Sequence, residues 1–315
     1  MAEEECMSSL YTREQLLAVR AEEPIQGFEE FWRRQYERAV SHKPDYTIEN
    51  ELWSPDPGIK IYCVRFTACD GFKIGMWISR PEKSCGGHIL AQGYGNVATA
   101  AVDTNPGLTV AMPCVPGLGL SQCKEIPWQL RYHAGYGFDD PEKYVIVSGV
   151  RNLWTAISIM IDMFPDVQDN IVCSGGSLGG GMGAMCIPWD KRIRAGELNV
   201  PTLGGRIMLN YPGQETDPSY TRFSLAKASE QGMRVLDFCN AAAAAQFIKV
   251  PTLVTPALCD HNVPPPGQFA VANAIPEEYR ILRIREVGHQ APTEADKLLE
   301  KELDEIRKDI FRLNV

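Results

Sequence analysis

A serine hydroxyl attacks a carbonyl only when it is held exposed beside a base. The segment Asn170-Ile-Val-Cys-Ser-Gly-Gly-Ser-Leu-Gly-Gly-Gly-Met-Gly183 places Ser177 in a setting that does this. Gly175-x-Ser177-x-Gly179 follows a strand-like apolar run and precedes a helical pattern. The context matters more than the pattern, which composition alone yields in roughly one chain in ten of this length. A sharp strand-to-helix turn lifts Oγ above a sheet and crowds its neighbours, so the residues two before and two after must be small. The same turn aims the Leu178 N–H at a developing oxyanion, at a helix N-terminus. The competing reading is a dinucleotide phosphate loop, Gly179-x-Gly181-x-x-Ala184. It requires a strand ending in an acidic residue about 20 positions later, and none follows.

An elbow of this kind calls for an acid and then a histidine, each at the end of a later strand. Residues 252–259 run into Asp260, and residues 281–288 run into His289. Of five histidines, His289 alone lies beyond Asp260 at a late strand end. In that arrangement His289 takes the Ser177 proton and Asp260 holds the imidazole tautomer. Taken singly, Asp260 reads as a loop cap beside Pro264-Pro265-Pro266 and His289 as a surface turn residue. A second oxyanion donor is expected after an earlier strand, where residues 88–92 run into Gly93-Tyr94-Gly95 and the Tyr94 N–H is the candidate. His42, His88 and His261 have no such placement, and no His/Cys/Asp spacing suggests a metal or other cofactor.

Such a site needs a sheet to carry it. Apolar runs at 88–92, 108–112, 171–174, 206–210, 252–258 and 281–287 alternate with helical patterns, which predicts a mostly parallel α/β sheet with helices on both faces. Runs at 59–66 and 72–79 flank Asp70-Gly71 and predict an antiparallel hairpin at one edge. Asp140-Pro141-Glu142 reads as a helix start ahead of Val147, Val150, Leu153, Trp154, Ile157 and Ile161, and residues 293–311 read as a second amphipathic helix. Phe28, Phe31 and Trp32 read as one packed helical face. With 315 residues and a hydrophobic fraction of 44%, one core suffices. We expect an N-terminal extension over 1–26 and a single domain over 27–315.

Thirty-one Lys and Arg against 40 Asp and Glu leave a net charge of −9, which argues against nucleic acid or anionic membranes as partners. The longest basic cluster, Lys191-Arg192-Ile193-Arg194, reads as a solvated loop or helix end. Ten scattered cysteines without a C-x-x-C pair, and an acidic start without an apolar run, lead us to expect reduced thiols and a cytoplasmic setting. Residues 241–259, interrupted by Lys249, Pro251 and Pro256, do not read as a membrane span.

From about Gly27 onward the chain resembles the acetyl xylan esterase and cephalosporin-C deacetylase group, carbohydrate esterase family seven, of α/β-hydrolase fold. The likeness rests on Phe28-Glu-Glu-Phe-Trp32, Gly93-Tyr94, Phe164-Pro-Asp-Val-Gln-Asp-Asn-Ile171, Gly175-Gly-Ser-Leu-Gly-Gly-Gly181, Asp260 with Pro264-Pro265, and Gly288-His289. The resemblance implies removal of acetyl groups from sugar hydroxyls or similar small alcohols through an acyl-enzyme. It also implies Tyr94 and Leu178 as oxyanion donors and a tendency to form homo-oligomers. The family's Arg-Gly-Gln-Gly stretch stands here as Pro116-Gly117-Leu118-Gly119, its Gln after the nucleophile is Leu178, and its Glu after the histidine is Gln290. The missing Arg and Glu are opposite charges, so their joint loss strands neither and reads as a re-tuned, more apolar pocket. The stretches between Tyr94 and Pro116, and between Pro212 and Pro251, read as shorter than in the family. Trp128 and Tyr132, in an aromatic loop with Arg131, His133 and Tyr136, are the candidates for stacking on a sugar ring. A lactone, an amide or a longer acyl ester is the alternative substrate, and a weakly catalytic scaffold of the same fold is the alternative of another class.

Overall fold

Residues 10–54, 56–96, 105, 107–209, 211 and 218–313 are described by the computed structural model. Residues 1–9 of the expected extension, with Cys6, and positions 210 and 212 lie outside them. Helix α1 (Arg13–Leu17) starts in a Thr12/Gln15 capping box. Asn273 Nδ2 then holds the chain to the core at the Leu16 and Val19 carbonyls, 3.1 and 3.0 Å away. Helix α2 (Phe28–Ser41) buries Phe28, Phe31 and Trp32 on one face. Trp32 stacks edge-on against Trp154 and donates Nε1–H to the Phe238 carbonyl at 3.0 Å.

Strands β1 (Tyr46–Leu52), β2 (Ile59–Thr67) and β3 (Lys73–Pro81) follow as an antiparallel meander. The Asp70-Gly71 turn closes the predicted hairpin, with Gly71 at φ 91°. Next come β4 (Gly87–Ala91), β5 (Thr109–Pro113) and the one-turn helix α3 (Leu130–His133). The core helix α4 (Val145–Met163), β6 (Ile171–Gly176), α5 (Leu178–Cys186) and β7 (Ile193–Asn199) follow. Helices α6 (Pro218–Ala228), α7 (Glu230–Phe238) and α8 (Ala241–Ala245) lead to β8 (Thr252–Thr255) and β9 (Ala257–Cys259). Then α9 (Pro265–Ala274), β10 (Arg280–Leu282), β11 (Arg285–Val287) and α10 (Glu294–Ile310) complete the fold. The main sheet runs β1-β2-β3-β5-β4-β6-β7-β8-β10, parallel from β5 onward, and β9 pairs with β11 in a small second sheet.

Four expectations are corrected. Residues 206–210 do not form a strand: Arg206–Met208 is a 3₁₀ turn entered through Gly205 at φ 88°. Its place in the sheet is filled by β7, whose start read as a solvated loop because charged residues interrupt its apolar ones. Glu197 on that strand pairs with Arg307 of α10. Residues 252–258 and 281–287 each split in two, because Pro256 has no N–H to donate to the ladder. The pairing nonetheless keeps step through the break, Arg280 opposite Thr252 and Val287 opposite Cys259. Finally, α4 starts at Val145, not Pro141. Asp140 accepts from the Glu142 N–H at 2.9 Å and closes a turn ahead of the helix. Among the described residues, α4 is the one helix long and apolar enough to cross a membrane. Every residue from Val145 to Ile157 is buried inside the protein, so it is the core helix beneath the sheet.

Candidate active site

Ser177 joins β6 to α5 with φ 57° and ψ −122°, a conformation that costs a non-glycine residue about 1–3 kcal/mol. Its surroundings hold it there. Its N–H donates to the Asn199 carbonyl at 3.0 Å, and its own carbonyl accepts from Thr202 and Gly181 at 3.1 and 3.2 Å. The flanking glycines are sterically obligatory. A Cβ on Gly175 would lie 2.4 Å from the Gly179 carbonyl carbon, and one on Gly179 would lie 2.1 Å from the Ala91 oxygen. Leu178 opens α5, where its N–H has no partner within the helix, and its side chain is buried.

Asp260 and His289 stand just beyond β9 and β11, whose pairing ends in a bond from the Gly288 N–H to the Cys259 carbonyl at 2.8 Å. The Asp260 side chain is fully buried. Its Oδ1 accepts from the Asn262 and Val263 N–H groups at 2.9 and 3.0 Å. Its Oδ2 accepts from Gln268 Nε2 at 2.9 Å and lies 2.7 Å from His289 Nδ1. A carboxylate only accepts, so Nδ1 carries the hydrogen and Nε2 is left as the basic atom. His289 takes a positive φ of 56°. Gly288 must be glycine, since a Cβ would fall 2.3 Å from Asp260 Oδ2. Residues 199–202 border both parts of the site: Asn199 and Thr202 bind the Ser177 backbone, and Val200 lies against Gly288.

The Gly93-Tyr94 loop is the third part. A Cβ on Gly93 would lie 2.9 Å from the Gly176 oxygen and 3.7 Å from Ser177 Cβ, so this loop runs alongside the nucleophile. It is pinned from behind. Buried His133 places Nε2 2.8 Å from the Pro116 carbonyl and Nδ1 3.0 Å from the Tyr94 hydroxyl. The carbonyl accepts, so Nε2 carries the hydrogen and Nδ1 accepts from Tyr94. Burial pushes His133 down to about 4, which keeps the ring neutral. Gln92 Oε1 takes the Val115 N–H at 3.0 Å and ties the same two loops together.

The structure therefore groups Ser177, Leu178 and the Tyr94 loop on one side and pairs Asp260 with His289 on the other. Pro116 is buried and serves as the His133 acceptor. Trp128 and Tyr132 are 61% and 64% exposed, flanking or within the helical turn that carries His133. Gln290 is exposed and reaches Cys259 Sγ at 3.8 Å. His42 binds the Thr67 carbonyl, and buried His88 faces Ser174 at 2.6 Å. Among the described residues no three His, Cys, Asp or Glu side chains converge to hold a metal. The roles of Gln268 and His133 went unnoticed in the sequence. The available signal was faint: a polar side chain in an apolar run after the acid, and a histidine among aromatics.

The sequence model of the acetyl xylan esterase family matches residues 12–300. Acetyl xylan esterases from Paenibacillus sp. R4 and Thermoanaerobacterium sp. JW/SL YS485 superpose with a TM-score of 0.71 each, at 20% and 18% identity. The alignments cover 93% and 97% of this chain and 99% of each of the others. An esterase from Pyrococcus furiosus superposes at a TM-score of 0.55 and 16% identity, over 86% of this chain and 98% of its own.

Proposed function

The chain belongs to the acetyl xylan esterase family, and from that premise we propose that it cleaves small acyl esters by a Ser177-His289-Asp260 triad through an acyl-enzyme. It is a carboxylic ester hydrolase of α/β-hydrolase fold acting on acetyl esters. The observation that carries the finer reading is the 2.7 Å contact between His289 Nδ1 and buried Asp260 Oδ2, in a protein whose elbow serine is held at φ 57°.

In this mechanism Ser177 Oγ adds to the ester carbonyl while His289 Nε2 takes its proton. The Tyr94 and Leu178 N–H groups receive the oxyanion. Asp260 stabilises the imidazolium, which then protonates the leaving alcohol as the tetrahedral adduct collapses to acyl-Ser177. Water, deprotonated by His289, releases the carboxylic acid and restores the serine. Trp128 and Tyr132 offer exposed aromatic faces for the alcohol portion, an acetylated sugar being the class that stacks on such faces.

Hydrolysis of p-nitrophenyl acetate, butyrate and octanoate by wild type and Ser177→Ala tests the reading. We expect acetate-preferring turnover that falls by at least about three orders of magnitude in the variant. Wild-type turnover by Ser177→Ala would remove Ser177 from the mechanism. A preference for butyrate or longer esters would favour a longer-acyl substrate, in keeping with buried, apolar Leu178.

A further inference from the structure

We propose that Gln268 is a positioning residue for catalysis, acting through Asp260 as a fourth member behind the triad. The proposal rests on the triad reading above. Gln268 lies in α9 and is completely buried. Its Oε1 accepts the Ala257 N–H at 2.8 Å, and its Nε2 donates both to the Val263 carbonyl and to Asp260 Oδ2. Every polar atom of this amide is therefore used. Ala257 starts β9 and Val263 leaves the turn after Asp260, so one side chain clamps both ends of the segment that carries the acid.

The bond to Oδ2 does more than hold a loop. Oδ2 is the oxygen that faces His289 Nδ1, and with the Asn262 and Val263 amides on Oδ1 it makes Asp260 a four-fold acceptor. A carboxylate bound on both oxygens cannot rotate, so the plane in which it meets the imidazole is fixed. Gln268 has no exposed surface and touches no substrate, so its effect falls on turnover and not on binding.

The test is Gln268→Met, of similar length and without polar atoms, assayed on p-nitrophenyl acetate beside Asp260→Asn and the double variant. We expect kcat to fall about tenfold at unchanged KM, and the double variant to be no slower than Asp260→Asn alone. Wild-type kcat in folded Gln268→Met overturns the proposal, as does a full additional loss in the double variant, which would mark a purely structural role. Wild-type kcat in Asp260→Asn would instead overturn the triad reading itself, so the two failures are distinct.

Where Gln268→Met does not fold, Gln268→Glu retains an acceptor for Ala257 and donates to Oδ2 only when protonated. Its kcat relative to wild type should fall from acidic to alkaline pH, and a constant ratio overturns the proposal. Among the described residues, the titratable groups placed at Asp260 are His289, its chain neighbours Cys259 and His261, and Tyr211, whose phenol burial raises and whose titration Asp260 influences. Helix α9 carries none.

Discussion

At the scale of single residues, the proposed mechanism assigns the Asp260-His289 pair to generating the nucleophile and the Tyr94 loop with Leu178 to receiving negative charge. Tyr94 shows how a backbone donor depends on a side chain. Its N–H is the oxyanion donor in our reading, and its hydroxyl, bound to His133, orients the peptide that bears it. Loss of either end of that bond should have the same effect. Tyr94→Phe and His133→Phe should each lower kcat on p-nitrophenyl acetate about tenfold, and the double variant should be no slower than the more damaged single one. Fully additive losses would show that the hydroxyl and the imidazole act separately. The placement of Ser177 at a strand-to-helix turn, and of Asp260 beside His289 at later strand ends, was legible because the proposed chemistry calls for those residue types in that order. Gln268 and His133 were not, because glutamine and histidine serve many buried networks and only the fold shows which one.

Elements were legible where the hydrophobic period was clean. The hairpin of β2 and β3, the strand before the elbow and the terminal helix α10 each carry one period through their length. Strand β7 was missed because its sequence, Ile-Arg-Ala-Gly-Glu-Leu-Asn, presents Arg194 and Glu197 within the run, and Glu197 pairs with Arg307, far along the chain. The 206–210 run was misread because five mostly apolar residues have no discernible period. Helix α10 has a part in the site that its amphipathic face does not reveal. Its Asp296 completes a capping box with Thr293 and accepts the Glu286 N–H at 2.9 Å. The loop bearing His289 is thus anchored at both of its ends by one buried carboxylate. Asp296→Ala should cost about 2–3 kcal/mol of stability in urea unfolding and also lower kcat. Thr293→Ala should cost about 1 kcal/mol with kcat nearly intact. Equal kcat in Asp296→Ala and wild type would show that the cap serves the helix alone.

Over the whole molecule, two buried histidines couple stability to pH. Burial pushes both His88 and His133 from 6.5 to about 4. The unfolded chain binds protons that these sites refuse in the folded one, so stability is full above about 6.5 and is lost as pH falls toward about 4. Below that both states are protonated and the loss levels off. Each histidine contributes about 1.4 kcal/mol per pH unit within the window. The urea midpoint should fall across this interval, and His88→Phe should reduce the slope by one proton's worth. A pH-independent midpoint would show that both rings take up their protons in the fold as they do in the unfolded chain. Fold class was legible at this scale because the rhythm of strand and helix sets a parallel sheet before any contact is known. The division of the last strands around Pro256 was not, since apolar residues on either side of a proline read as one run.

That division leaves the matching of β9 to β11 unchanged, and it separates two kinds of chain length. The stretch from Asp260 to Arg280 can grow or shrink at the exposed pair Glu277 and Glu278 without altering which residues face each other, because the strands on either side are matched independently of it. The stretches from Thr252 to Asp260 and from Arg280 to His289 have no such freedom. One residue gained or lost in either would set a different side chain opposite the acid. A residue inserted at the turn should therefore leave the acid facing the same partner, whereas one inserted in either of the two short counts that end at Asp260 and His289 should not.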